Sequence, residues 1–138
     1  MLEQVINSVY TLQIEVKPEM AAILDDTLIH PVYSTFWLVY HAELAARKAI
    51  EPYFEQGEQA IGGAVSVQHK AMAAIGEQVC IQAAVESIKG SVIVCSIKAY
   101  LQDNTIIAEG QQTQLLLSRE YIDSLIEKAY TRHHSSHK

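Results

Sequence analysis

Four features of this 138-residue chain could carry acid–base chemistry: the Glu43 carboxylate, the His69 imidazole, the Thr35 hydroxyl and the backbone at Gly62-Gly63. Glu43 interrupts the apolar run from Phe36 to Ala46, with Phe36, Val39, Tyr40, Ala46 and Ile50 at helical spacings. A carboxylate buried among such groups is costly unless it is paired, so its presence points to acid–base use. Arg47, four residues on, offers the plainer alternative of a surface ion pair. His69 alternates in phase with Val65 and Val67, which puts it on the apolar side of a strand. A core histidine with satisfied nitrogens gives the same pattern. Thr35 stands where a helix begins and N–H groups are free, and it serves either as an N-cap or as a hydroxyl for a ligand. Gly62-Gly63 fits a bulge or turn, or a stretch of backbone whose N–H groups approach a developing oxyanion. A carboxylate and a histidine converging on one interface are harder to explain as packing alone.

The elements that must position these groups follow from periodicity. Residues 10–16 alternate as a half-buried strand does, and Lys17-Pro18 ends it. Residues 20–24 are expected to form a short helical turn, followed by a loop over 25–31. Ser34 or Thr35 caps a central helix that runs to about Phe54, is distorted near Pro52 and ends at residues 55–57. Residues 63–71 then alternate, with Val65, Val67, His69 and Ala71 on one face and Ser66, Gln68 and Lys70 on the other. Strands follow over 78–88, 91–101 and 105–117, with tips at Lys89-Gly90 and Asp103-Asn104. Residues 119–130 form a C-terminal helix with Tyr121, Ile122, Leu125 and Ile126 as its stripe. The tail over 131–138 is expected to be disordered.

One long apolar helix needs a sheet to cover it, and four consecutive strands joined mostly by tight turns supply one. The expected fold is α+β: a hotdog fold over a single domain, residues 1–138, with an antiparallel sheet wrapped around the central helix. A plain α+β sandwich is the alternative. The net charge of −6 argues against nucleic acid as a partner. No apolar run approaches membrane-span length, and no secretory signal is recognisable, so a cytoplasmic location is expected. Cys80 and Cys95 lie inside strand-like runs, without zinc or redox spacing, and no metal site is expected. The three histidines of the tail are read as part of a disordered segment.

Several short motifs stand in register: Thr35, Glu43 in Glu-Leu-Ala-Ala, Pro52 followed by Gly57-Glu58, and Ile61 through His69. Gly76-Glu77-Gln78-Val79, Gly90 and Glu109-Gly110 continue the set. With them, residues 32–117 resemble the fluoroacetyl-CoA-thioesterase-like family of hotdog-fold acyl-CoA thioesterases. The resemblance implies hydrolysis of a small acyl-CoA thioester by Thr35, Glu43 and His69. Glu43 would be general base or nucleophile, His69 would polarise the thioester or protonate the sulfur, and Thr35 would orient the acyl group or Glu43. Gly62, Gly63 and Phe36 are expected at the substrate. No cofactor is implied, coenzyme A being part of the substrate, and a homodimer is expected.

This chain departs from the family in three places. Phe36 follows Thr35 where Pro is frequent. Gln112 and Gln114 stand where His and Arg are frequent. Residues 21–31 are short and lack the family's Phe-rich lid, so a short or branched acyl group other than fluoroacetyl is expected. A non-catalytic acyl-CoA binding module is the main alternative, and a hotdog hydratase the third. Lys70, Lys89, Arg47, Lys48 and Lys98 are candidates for the CoA phosphates.

Overall fold

Alternating apolar residues build a five-stranded antiparallel sheet that folds around one helix. The computed structural model describes residues 1–136. Its strands are β1 (Val9–Glu15), β2 (Ala21–Leu24), β3 (Thr27–Tyr33), β4 (Glu58–His69), β5 (Gln78–Lys89), β6 (Val92–Leu101) and β7 (Ile106–Ser118). The helices are α1 (Thr35–Ile50) and α2 (Arg119–Ser136). The main sheet has the order β1-β5-β6-β7-β4, and β2-β3 form a separate hairpin.

Ser34 caps α1 by accepting the Trp37 N–H at 3.1 Å. The helix buries Leu38, His41, Ala42, Ala45, Ala46, Ala49 and Ile50, spaced three and four apart as an amphipathic helix requires. The run of alanines lets α1 lie close to Ile81, Ala83, Val85, Ile93, Cys95, Ile97 and Ala99 of the inner sheet face. At the far end Pro52 sits in a 3-10 turn, Glu51–Tyr53, so the α-helix stops before the proline. The buried Cys95 thiol is pushed up to about 11 by burial, which leaves it in its unreactive protonated form at neutral pH.

Three expectations change. After a 3-10 turn, Pro18–Met20, residues 21–33 form the β2-β3 hairpin rather than a helical turn and loop. Asp25 and Asp26 make its tip with φ of 53° and 59°, a conformation aspartate tolerates. Both faces of the hairpin are largely exposed, so it has no hydrophobic period to read. Second, β4 does not form a hairpin with β5. It lies at the opposite edge of the sheet, against β7. The link between them is tied to other elements: Lys70 N–H donates to Ile107 O at 2.7 Å, Tyr33 N–H to Ala73 O at 2.9 Å, and Gly76 N–H to Val16 O at 2.7 Å. Third, α2 continues to Ser136, so the tail expected to be disordered from residue 131 is helical as far as it is described. His137 and Lys138 lie outside the described residues. Of the predicted stripe of α2, only Ile122 is buried, while Tyr121 and Ile126 are exposed.

Candidate active site

Because Ser34 takes the cap, the hydroxyl of Thr35 is released for another partner. It meets His69, the last residue of β4, with Oγ1 and Nδ1 2.8 Å apart. His69 lies on the inward phase of the strand and is half-buried. Its Nε2 is buried with no hydrogen-bond partner among the described residues. Burial lowers the proton affinity of His69 below the ordinary histidine range, and the nearby Ala71 backbone partly opposes this. The ring is therefore uncharged at neutral pH. If Thr35 donates to Nδ1, Nε2 carries the proton and becomes a hydrogen-bond donor.

Behind this pair lies a second one. The Tyr33 hydroxyl and His41 Nδ1 are 2.6 Å apart, with the rings stacked at 5.8 Å. Burial raises Tyr33 well above the ordinary phenol range and lowers His41, so both are neutral. The Tyr33 ring also stands edge-on to His69 at 6.3 Å. These two residues escaped the sequence reading. The available signal was helical phase: His41 falls three after Leu38 and four before Ala45, inside the buried stripe.

Glu43 lies about two turns along α1 from Thr35, on the side of the helix opposite His41. With Phe36, Tyr40 and Arg47 it forms the face turned away from the core; Phe36 is 73% exposed and Tyr40 51%. Glu43 is itself exposed. The expectation of a carboxylate buried in apolar surroundings is thus incorrect. Nor does Arg47 pair with it. Arg47 Nε donates to Glu51 at 2.9 Å and Nη1 to the Ala60 carbonyl at 3.0 Å, while the guanidinium lies over the Phe54 ring.

What holds Glu43 is β4 and β7. A Cβ added at Gly62 would collide with Glu43 Oε1, so only glycine lets the carboxylate rest against the strand. At the same point β4 is bulged: Gly62 pairs with Gln114 and Ala64 with Thr113, leaving Gly63 between them. Gln112 Nε2 donates a long hydrogen bond of 3.4 Å to Glu43 Oε1. A cleft of about 290 Å³ opens between Tyr40, Glu43 and Leu44 on α1 and Gly62, Gln112 and Gln114 on the sheet. A larger depression crosses the outer sheet face, where Gln111 donates to Glu86 at 2.9 Å.

Thr35 meets His69, and Glu43 meets Gly62, yet no hydrogen bond or ion pair joins Glu43 to His69 among the described residues. Thr35 and Glu43 are about 12 Å apart along the helix axis. Phe36 projects outward on the Glu43 side, edge-on to Trp37, and Gly63 is exposed on the edge strand. Of the candidate cations, Lys70 pairs with Glu109 at 3.0 Å, and Arg47 and Lys48 both pair with Glu51. Among the described residues no cluster of His, Cys, Asp and Glu could hold a metal ion, and no helix is long and apolar enough to cross a membrane.

Five antiparallel strands folded around one helix, with a second helix at the C-terminus, define a hotdog-like fold. Among solved structures, a hypothetical protein of Thermus thermophilus, described as a thioesterase superfamily member, superposes with a TM-score of 0.91. It is 31% identical, covering 94% of this chain and 96% of that one. A variant of the fluoroacetyl-CoA-specific thioesterase FlK, in complex with fluoroacetate and CoA, gives a TM-score of 0.74 at 24% identity over 85% and 98%. A hot-dog-like protein from Thermanaerovibrio acidaminovorans gives 0.82 at 16% over 92% and 95%. The latter two likenesses speak for the fold alone. Comparison of the sequence with curated proteins finds no match. Residues 16–120 match the fluoroacetyl-CoA-specific thioesterase (FlK) family, and the chain belongs to it.

Proposed function

We propose that this protein hydrolyses a small acyl-CoA thioester to free acid and CoA, acting on CoA esters in the cytoplasm. The observation that carries the reading is the seating of Glu43 against Gly62 beside a cleft of small-acyl size. Glu43 takes a proton from water as the water oxygen adds to the thioester carbonyl, or attacks that carbonyl itself to form an anhydride that water then cleaves to the free acid and the Glu43 carboxylate. Backbone N–H groups at the bulge receive the negative charge that develops on the carbonyl oxygen. The C–S bond then breaks. With a thiol pKa of about 8.5 the thiolate is a good leaving group and needs little acid help, so a neutral His69 donating through Nε2 is sufficient.

The reading includes a homodimer. β4 is an edge strand whose residues 62–66 are all exposed, and an unpaired edge invites a second strand. With the Gly63 bulge counted as one extra residue, the midpoint of Gly62 and His69 along the ladder falls at Ser66. Antiparallel pairing of two β4 edges about that point sets Gly62 opposite the partner's His69, so each site would draw Glu43 from one protomer and His69 with Thr35 from the other. This resolves the separation of the two groups within one chain.

The same separation also suits a non-catalytic acyl-CoA binding module, and turnover decides between them. Free thiol should appear from short-chain acyl-CoA esters, and Glu43→Gln should slow its release by about 10²- to 10⁴-fold. Because Glu43 is exposed, stability should stay within about 0.5 kcal/mol. Release of no thiol from any ester, or an unaffected Glu43→Gln variant, would remove the enzymatic reading; acyl-CoA binding without turnover would favour the module. A monomeric mass in light scattering would remove the shared site.

A further inference from the structure

Gln112 and Gln114 alternate on the inner face of β7 and form the floor of the cleft beneath Glu43. Gln112 is fully buried and Gln114 is 3% exposed. Two of their amide atoms, Gln112 Oε1 and Gln114 Nε2, are buried without a hydrogen-bond partner among the described residues. Gln112 is oriented by its Nε2 donating to Glu43, which turns its oxygen elsewhere. One unmet acceptor and one unmet donor therefore lie about 7 Å apart in backbone position on a single face.

Buried amide groups left unmet are costly, and a neutral group able both to donate and to accept answers them. We infer that this cleft selects an acyl group bearing an uncharged donor–acceptor substituent, a hydroxyl or a carboxamide. The inference rests on the proposed acyl-CoA site. A plain alkyl chain leaves both amide atoms unmet. A carboxylate brings acceptors only, leaving the Gln112 oxygen without a donor and adding a negative charge beside Glu43. Tyr40 and Leu44 give the walls an apolar lining for the rest of a short chain.

The test uses non-hydrolysable ketone analogues, in which a methylene separates the CoA sulfur from the carbonyl. Their chains end in methyl, hydroxyl, carboxamide or carboxylate. By calorimetry with the full chain, the hydroxyl or the carboxamide analogue should bind about tenfold or more tightly than the methyl analogue, and the carboxylate most weakly. The two neutral arms identify which substituent is preferred. Gln114→Leu should erase the preference. Wild-type binding that ranks methyl level with or above both neutral arms overturns the inference, even if Gln114→Leu fails to fold. A preference that survives both Gln112→Leu and Gln114→Leu overturns it as well. Thiol release is measured separately. Ranked binding without thiol release from any ester overturns the hydrolase reading and supports the pocket chemistry. Thiol release with no ranked binding overturns the pocket chemistry alone.

Discussion

Two hydroxyl–imidazole pairs flank the N-terminus of α1, and they are chemically alike. Tyr33 with His41 and Thr35 with His69 each join an oxygen to Nδ1, at 2.6 and 2.8 Å. In both, burial lowers the histidine below its ordinary range. Their settings differ. His41 is 4% exposed and packed under Trp37, whereas His69 ends an edge strand and Thr35 is exposed. A hydrogen bond of the same kind therefore serves cohesion at one site, while under the proposed function the other would serve a substrate. Access decides the role, and the sheet edge decides access.

The largest separation between the pairs should appear on replacing His69. His69→Ala should slow thiol release by about 100-fold, with little loss of stability because the ring is half-buried at an edge. Mixing this variant with Glu43→Gln sharpens the point. If each site is shared between protomers, mixed dimers contain one intact Glu43–His69 combination. Randomly re-paired subunits should then recover roughly a quarter of wild-type activity. No recovery would show that each chain carries its own complete site.

His41→Leu should break the comparison from the other side. The Tyr33 hydroxyl would lose its partner while still buried, at a cost of about 1–3 kcal/mol, measurable by urea denaturation. Thiol release per folded molecule should be retained. A larger loss of activity than of stability would mean that the inner pair also sets the position of His69, which the edge-on Tyr33 ring touches.

These roles were unevenly legible. The phase of His69 in its strand could be read because Val65 and Val67 alternate with it, and the start of the helix marked Thr35, to which the family resemblance gave a catalytic role. Glu43 was misread for a physical reason. Phe36 and Tyr40 make the first turns of α1 look apolar all round, yet the core takes only the stripe through Leu38, Ala42, Ala45 and Ala49. The apolar residues on the other face, Phe36 and Tyr40, are exposed. The placement of β4 was hidden because alternation reports which face is buried and not which strand is the neighbour. Tandem strands read alike as a hairpin or as a crossover. Gln112 and Gln114 were visible as departures from the family, but their role as a polar floor requires the register of β7 against β4.

The smallest expected difference lies in pH dependence. Both histidines have folded-state values below 6.5. Between the folded value and 6.5 the unfolded chain binds more protons, so stability rises with pH across that window. The contribution is complete above about 6.5 and is lost as pH falls through the depressed folded values. The melting temperature should accordingly decline from pH 7 toward pH 5. The sealed His41 should account for more of that slope than the half-buried His69, because its charged form has less water within reach. His41→Leu lowers the whole curve, so the slope, not the level, is the quantity to compare. His41→Leu should flatten it more than His69→Ala does. Equal flattening would mean that the two rings are equally desolvated, and would remove access as the difference between the two pairs.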